Sequence, residues 1–177
     1  MVVGALFVLT ACSGPDKATA PTIASEATTT TARAPTTTAP QDDQVRLAWD
    51  GYWAMSDRLL AAPDPDDPEL AMRVGEPLLT DLRDDLRQRQ VEGRVVVVPD
   101  GAVYEHALEH IEISGNEALV RGCEHDDSTT LDAQGETLTR GKFTRILVGS
   151  FARSGSAWLA TDMGVVSEEP GIIACAV

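Results

Sequence analysis

The sequence has few basic side chains, few cysteines and no long hydrophobic run. Its 177 residues include 28 acidic and 14 basic side chains, which gives a net charge of −14. Nucleic-acid binding needs a basic surface, and anionic lipid headgroups repel an acidic one, so both kinds of electrostatic contact are disfavoured. Three cysteines without a Cys-x-x-Cys pair exclude a disulfide-dense scaffold and give no zinc-knuckle pattern. No apolar stretch reaches the roughly 18 residues that a membrane-spanning helix requires.

The acidic side chains are unevenly distributed along the chain. Residues 1–40 contain two acidic and two basic side chains, so they are neutral overall. Residues 41–177 hold the other 26 acidic and 12 basic side chains and carry the entire net charge. The composition therefore separates a neutral N-terminal segment from a strongly acidic domain.

The N-terminal residues resemble a bacterial lipoprotein signal peptide. Residues 4–11 form an apolar stretch of the size of a signal-peptide core, and they end in Leu9-Thr10-Ala11-Cys12, which resembles the lipobox. Met1-Val2-Val3 departs from the signal-peptide pattern because it carries no positive charge. We expect residues 1–11 to be removed, and Cys12 to carry diacylglycerol and palmitate chains that anchor the protein in the membrane.

Residues 12–41 are predicted to be a spacer. They consist mainly of Thr, Ala and Pro, with threonine runs at 28–31 and 36–38. Such a segment buries too little apolar surface to offset its ordering entropy, and exported stalks of this composition are often O-glycosylated. We therefore expect a domain that is tethered to the extracytoplasmic face of the cell membrane.

Residues 42–177 are predicted to form the folded domain, and helix signals fill its first half. Three prolines between residues 63 and 68 end the first helix, and Asp67-Pro68 suits the start of a short second one. A third helix is predicted over 76–90. Apolar and aromatic residues recur at helical spacing in the first helix, at Val45, Trp49, Tyr52, Trp53, Ser56, Leu59 and Leu60.

Strand signals dominate the second half. Val95–Val98 is a β-branched run, and residues 105–114 and 117–123 flank a predicted two-residue turn, Gly115-Asn116. A second hairpin is predicted over 142–166 around Ser154-Gly155. Helices followed by an antiparallel meander predict an α+β fold with the helices on one face of the sheet.

The pattern resembles the NTF2-like, or SnoaL-like, fold. The features that carry the resemblance are the aromatic first helix, the long hairpins and the late Gly155-x-x-Trp158 segment. Exported actinobacterial NTF2-like lipoproteins are similar in more detail, through Trp53, the PDPDDPEL segment at 63–70 and Cys123-x-x-Asp126-Asp127. The resemblance covers residues 43–166 and implies three N-terminal helices packed on a curved antiparallel sheet, a cone around a pocket. Its relatives include isomerases, dehydratases and binding proteins, so the fold does not choose a function.

The first hairpin predicts how the three histidines are placed. With Gly115-Asn116 as the turn, His106 faces His125 and His110 faces Arg121, all on one face of the sheet. The pair His106 and His125, with Asp127 as a third ligand, could bind a transition metal. A metal site needs three or four ligands, so we expect a partly solvated histidine pair without a metal or another cofactor.

Acid–base chemistry would need a carboxylate with Tyr or His in an apolar pocket. The candidates are Asp162, His110 and Tyr104, and less directly Tyr52 and Asp126. The second hairpin places Asp162 diagonal to Arg145, so an ion pair is the simpler account of this carboxylate. No GxSxG, HExxH or phosphate-loop motif is present in the sequence, which disfavours an enzyme.

Cys123 and Cys175 are the thiols that remain after lipidation of Cys12. Export makes oxidation feasible, and an even pair suggests a disulfide that would pin the C-terminal tail to the sheet. Two buried free thiols are the alternative.

Taken together, these features predict a lipid-anchored, extracytoplasmic binding or interaction module. Its expected partners are the membrane, a small apolar ligand, a cell-envelope protein or a second copy of the chain, and nucleic acid is not among them. The alternatives are a small pocket enzyme with isomerase-like or dehydratase-like chemistry and a structural accessory of a cell-envelope complex.

Overall fold

The computed structural model describes residues 39–175. Three helices come first and seven antiparallel strands follow in this part of the chain, so the α+β class is confirmed. Cys12, the predicted signal peptide and nearly all of the predicted spacer lie outside the described residues. Between residues 39 and 175, no helix is long and apolar enough to cross a membrane. The elements are α1 (Gln41–Ala61), α2 (Pro68–Arg73), α3 (Leu78–Glu92), β1 (Val95–Val97), β2 (Tyr104–Ser114), β3 (Glu117–Asp126), β4 (Thr129–Leu131), β5 (Thr137–Arg140), β6 (Phe143–Ser154) and β7 (Ala157–Pro170).

Helix α1 is the main helix of the core. Asp42 and Asp43 lie in its first turn, where the helix dipole favours negative charge. Its buried side chains recur every three or four residues, which is the spacing of one helical face. This face is predicted well, except that Met55 is buried where the stripe placed Ser56. The buried residues are Val45, Trp49, Tyr52, Met55 and Leu59.

Capping residues set the ends of helices α2 and α3. The Asp67 side chain accepts a hydrogen bond of 2.8 Å from the backbone N–H of Glu69, and Pro68 occupies the first helical position. Helix α3 begins at Leu78, two residues later than predicted, because Pro77 takes the N-cap position. It ends at Gly93, whose φ of 64° is in the left-handed region that glycine favours.

The strands form two antiparallel sheets. The larger has the order β2-β3-β6-β7 and the smaller the order β1-β4-β5. Trp49 of α1 packs directly on the larger sheet, where a Cβ added to Gly122 would lie 2.5 Å from the Trp49 ring. The inner face of this sheet, which packs against the helices, contributes the remaining core strand residues. These are Ala118, Val120, Leu147, Phe151, Trp158 and Ala160.

The first hairpin keeps the predicted turn but changes register along its length. Ser114 pairs with Glu117 and His110 with Arg121, as the turn at Gly115-Asn116 requires. A β-bulge between Leu108 and His110 then adds one residue to β2, so His106 pairs with Glu124. The predicted pairing of His106 with His125 is therefore wrong.

The second hairpin turns one residue later than predicted. Ser154 pairs with Ala157, which makes Gly155-Ser156 the turn, and two further bulges follow along the strands. As a result Asp162 pairs with Ser150, and Arg145 pairs with Glu168. The predicted ion pair between Asp162 and Arg145 is therefore wrong.

Candidate functional site

A cavity of about 610 Å³ lies between the helices and the two sheets. Its lining comes from α1, α3 and the strands β1 to β6, so residues distant in sequence meet there. This volume is within the range of small-molecule sites in proteins. The lining combines three aromatic side chains, two carboxylates and three guanidinium groups. They are Trp53, Tyr104, Phe143, Glu124, Asp126, Arg89, Arg140 and Arg145.

The floor of the cavity follows from the strand register. Residues that lie opposite each other on neighbouring strands share a face of the sheet. The register therefore produces two adjacent rows across the inner face, one polar and one that is partly aromatic. The first row is His106, Glu124, Arg145 and Glu168, and the second is Tyr104, Asp126 and Phe143.

Helix α1 closes one side of the cavity with an aromatic and a carboxylate. The Trp53 ring stacks on His106 with a centroid distance of 3.9 Å. One turn later, Asp57 Oδ1 accepts a hydrogen bond of 3.0 Å from the Tyr104 hydroxyl and lies 3.2 Å from His106 Nε2. Two side chains of β2 thus bind one carboxylate of α1, which fixes the aromatic wall against the sheet.

Arg145 is the central cation of the floor. Its Nε donates to Glu168 at 2.6 Å, and its Nη1 donates to Glu124 at 3.3 Å and to Asp126 at 3.2 Å. The guanidinium also lies 5.1 Å from the Phe143 ring centroid. Three carboxylates share one guanidinium, so the floor is net negative.

Burial perturbs the titratable groups of the floor. The Glu124 side chain is 9% exposed, and desolvation raises the pKa of this carboxyl, although His106 and Arg145 act to lower it. Desolvation, together with the charge of Asp57, raises the pKa of Tyr104, so its hydroxyl remains a hydrogen-bond donor. Burial also raises the pKa of Tyr52, which lies on α1, to about 12.

The smaller sheet forms a further wall of the cavity. Val96, Thr130 and Thr139 lie opposite each other on β1, β4 and β5, and all three line the cavity. Arg140, the last residue of β5, lines the cavity while its side chain stays exposed. The cavity thus has a small neutral wall and a basic residue that reaches solvent.

The predicted acid–base residues are dispersed in the structure. Tyr104 lines the cavity. His110 lies on the opposite face of the sheet, where its side chain is 62% exposed and contacts Glu112 at 3.1 Å. Asp162 is exposed on β7. The structure therefore brings only Tyr104 of these three to the cavity, and His110 and Asp162 are wrong as cavity residues.

The predicted metal pair is also separated. The His106 side chain, 5% exposed, faces α1 on the inner face. His125 lies on the outer face, because it alternates with the inner Glu124 along β3. The bulge in β2 is the cause, since a shift of one residue reverses the face that a side chain occupies.

On the outer face, Cys123 and Cys175 are joined by a disulfide with a Cα–Cα distance of 6.0 Å. His125 lies beside it, with Nε2 3.7 Å from Cys123 Sγ and 2.9 Å from the backbone oxygen of Ile173. Its Nδ1 is 2.6 Å from Glu105 Oε1, and this hydrogen bond raises the pKa of His125. The C-terminal tail is thus held to the sheet by a covalent bond and by His125.

Sequence reasoning missed Asp57 and Glu124, and it paired Arg145 with Asp162 instead of its carboxylate partners in the site. Asp57 lies one turn after Trp53 and outside the predicted stripe of α1. Glu124 and Asp126 are the acidic residues at inner positions of β3, and a correct register would have placed Glu124 beside His106. The missing signal was the bulge, which no local sequence pattern marks.

Comparisons with known proteins show the fold and no family. No protein-family model matches the chain, and no curated protein matches it. The crystal structure of the intermembrane space region of the chloroplast protein ARC6 is similar, with a TM-score of 0.55 and 19% sequence identity. The match covers 70% of this chain and 94% of that chain. At this identity the likeness concerns the fold alone.

Proposed function

We propose that this protein is a lipid-anchored, extracytoplasmic binding module whose ligand occupies the 610 Å³ cavity. The observation that carries the proposal is the cavity itself, with an aromatic wall, a polar floor and a neutral third side. Cavities of this size with a few convergent polar groups are the usual sites for small molecules.

The chemistry of the walls indicates the ligand class. Trp53, Tyr104 and Phe143 offer aromatic faces, while Glu124 and Asp126 retain acceptor sites beyond those that Arg145 uses. Of the other two cavity guanidinium groups, that of Arg89 is paired with Asp85 and Arg140 is exposed to solvent. A ligand with a flat ring and a neutral or cationic hydrogen-bond donor therefore suits the floor. The charged floor favours such a ligand over the purely apolar one expected from the sequence.

We propose that the domain is an NTF2-like cone. Three features support this assignment: the helices pack on one face of the sheet, bulges bend the long strands, and a cavity lies between helices and sheet. The family resemblance of the aromatic first helix points the same way.

The extracytoplasmic location rests on two independent features. The lipobox at Leu9–Cys12 and the Thr/Pro spacer indicate export and a tether. The disulfide between Cys123 and Cys175 suits an oxidising compartment outside the cytoplasm. The membrane connection then passes through the acyl chains on Cys12, while the acidic domain stays away from anionic headgroups.

A pair of β5 variants tests whether the cavity binds ligands. Both Thr137 and Thr139 are exposed, but only Thr139 lines the cavity. We expect a ligand-observed NMR screen of aromatic amines, aromatic acids and neutral aromatics to yield hits among the amines and neutral compounds. Thr139→Trp fills the cavity and should abolish these hits, while Thr137→Trp should retain them. Hits that survive Thr139→Trp, or a screen without hits, would overturn the proposal.

A second candidate function is acid–base catalysis, and the observation that favours it is Glu124. A carboxyl with a raised pKa, 9% exposed at a cavity wall, can donate a proton at a higher pH than an ordinary one. The test is turnover of compounds that bind in the screen. Loss of turnover in Glu124→Gln with retained binding would support catalysis. Binding without turnover in the wild type would contradict catalysis and support a function in binding alone.

A further inference from the structure

We propose that Cys123, Cys175 and His125 form a zinc site when the disulfide is reduced. The three residues lie on the outer face of the larger sheet and in the C-terminal tail, away from the cavity. The site is thus independent of the proposed ligand-binding function. In the oxidised chain the two sulfurs bind each other and cannot act as thiolate ligands.

The spacing of the three ligand atoms suits a tetrahedral ion. The Cys123 and Cys175 sulfurs and a ring nitrogen of His125 all lie within 4.8 Å of one another. Cys123 Sγ lies 3.7 Å from His125 Nε2. Tetrahedral zinc with ordinary Zn–S and Zn–N bonds places a sulfur and a nitrogen ligand about 3.6 Å apart. For the ion to enter, the two sulfurs must separate and His125 Nε2 must give up its contact with the Ile173 backbone oxygen, 2.9 Å away.

The outer shell of such a site is already in place. Histidines that ligate zinc usually donate their other ring N–H to a carboxylate, which fixes the ring and the tautomer. Here Glu105 Oε1 lies 2.6 Å from His125 Nδ1, so that Nε2 is the nitrogen that points to the cysteine. His110 and Glu112 on β2 form a similar histidine–carboxylate contact, but the two cysteines are not beside it.

The site would keep one coordination position for water. Three protein ligands and a water are a known arrangement for zinc, including with two cysteines and one histidine. Cys175 lines a separate cavity of about 200 Å³, together with Thr144, Ser167 and Glu169. This cavity, which borders the site at Cys175, offers space and polar side chains for a water.

The chemistry balances as a two-electron exchange followed by ligand deprotonation. A dithiol reductant passes two electrons and two protons to the Cys123–Cys175 bond and becomes a disulfide itself. Each new thiol then loses its proton as Zn²⁺ binds, and His125 binds through its deprotonated Nε2. Thiol–disulfide exchange with an oxidised partner, which takes up the two electrons and becomes a dithiol, releases the ion and restores the disulfide.

Cobalt substitution tests the proposal on the full chain carrying Cys12→Ser, which leaves Cys123 and Cys175 as its cysteines. After reduction with a phosphine and its removal, we expect one Co²⁺ per chain, with thiolate charge-transfer and tetrahedral ligand-field bands. Zn²⁺ should displace the cobalt, and the unreduced chain should show neither band.

Variants assign the ligands and the outer shell. His125→Ala should remove the tetrahedral cobalt spectrum. Glu105→Gln should weaken cobalt binding by roughly 10- to 100-fold, as loss of an outer-shell carboxylate does. His110→Ala and Glu112→Gln are matched controls and should leave the affinity unchanged.

Three results would overturn the zinc site. One is a folded, reduced chain that binds no cobalt. Another is cobalt binding that survives His125→Ala unchanged. The third is a chain that unfolds on reduction, seen by circular dichroism, and that Zn²⁺ does not refold.

Discussion

At the scale of single residues, the site depends on Glu124, a carboxyl that is nearly buried and only partly compensated. Arg145 binds it but also binds Asp126 and Glu168. The net result is that burial raises the pKa of Glu124 above its ordinary value of 4.5. The ionised form is therefore the costly one in the folded chain.

This cost predicts a pH-dependent difference between the wild type and Glu124→Gln. The unfolded chain loses the Glu124 proton at a lower pH than the folded chain, so the wild-type free energy of unfolding falls as pH rises through the folded pKa. Glutamine does not ionise, so the variant lacks this pH-dependent fall in the free energy of unfolding. Urea unfolding between about pH 4 and about pH 8 should show the variant gaining stability relative to the wild type as pH rises.

The exposed Glu117→Gln, on the same strand, serves as the control for this comparison. A Glu124→Gln difference that stays constant with pH, or that falls, would contradict the raised pKa.

The two tyrosines give a second test at this scale. Burial raises the pKa of Tyr52 to about 12, and burial with the nearby Asp57 raises the pKa of Tyr104 as well. These are the only tyrosines of the chain. Alkaline titration of the folded protein should therefore show no tyrosinate absorbance near the ordinary pKa of 10. The denatured protein should show two ionising groups there, and tyrosinate formation near pH 10 while circular dichroism reports a folded chain would contradict the described burial.

At the scale of secondary-structure elements, the packing of α1 on β3 decides where the cavity lies. Trp49 lies on Gly122 and its Nε1 donates to the backbone oxygen of His106 at 3.0 Å. This contact holds the helix close to the sheet at one end. The cavity lies farther along α1, where Trp53 and Leu60 line it.

Gly122→Ala tests this close approach. The added Cβ would lie 2.5 Å from Trp49 Cζ2 and 2.8 Å from the backbone oxygen of Ala107, so helix and sheet must separate. We expect a loss of about 1–3 kcal/mol in the free energy of unfolding, as for other overpacked cores. The matched control is Gly164→Ala in β7, where no atom lies within 4 Å of the added Cβ. Equal stability of the two variants would contradict the packing.

The helices and the long hairpins could be predicted from the sequence, whereas the short strands β4 and β5, the second sheet and the strand register could not. The apolar stripe of α1 and the Gly115-Asn116 turn are local signals, and both lie where they were predicted. The bulge between Leu108 and His110 has no local signature in the sequence. Since one extra residue reverses a face, that bulge alone moved His106 into the site and left His125 outside it.

At the scale of the whole molecule, the net charge of −14 is confined to one part of the chain. It belongs to residues 41–177, while the predicted membrane tether passes through a neutral segment. The acidic surface therefore favours solubility of the domain and repulsion from anionic headgroups. Acidity of the domain and the predicted acylation at Cys12 are compatible, because they concern different parts of the chain.

The disulfide ties distant parts of the domain together. It joins β3 to the C-terminal tail across 52 residues. Loss of the crosslink in Cys123→Ala/Cys175→Ala should lower the free energy of unfolding by about 4 kcal/mol on the loop-entropy model. Denaturant unfolding against the oxidised parent measures this loss, and a change below about 1 kcal/mol would show that the crosslink contributes little.

Ligand occupancy of the cavity can be read most directly from the indole N–H signals of the three tryptophans. Trp53 lines the cavity and its Nε1 is buried without a hydrogen-bond partner among the described residues. Trp158 is buried in the core and outside the cavity lining, and Trp49 donates to His106. Titration of a ¹⁵N-labelled chain with an aromatic amine found in the screen should shift the Trp53 signal and leave that of Trp158 in place. A saturable binder that shifts Trp158 and not Trp53 would contradict the binding function proposed for the cavity.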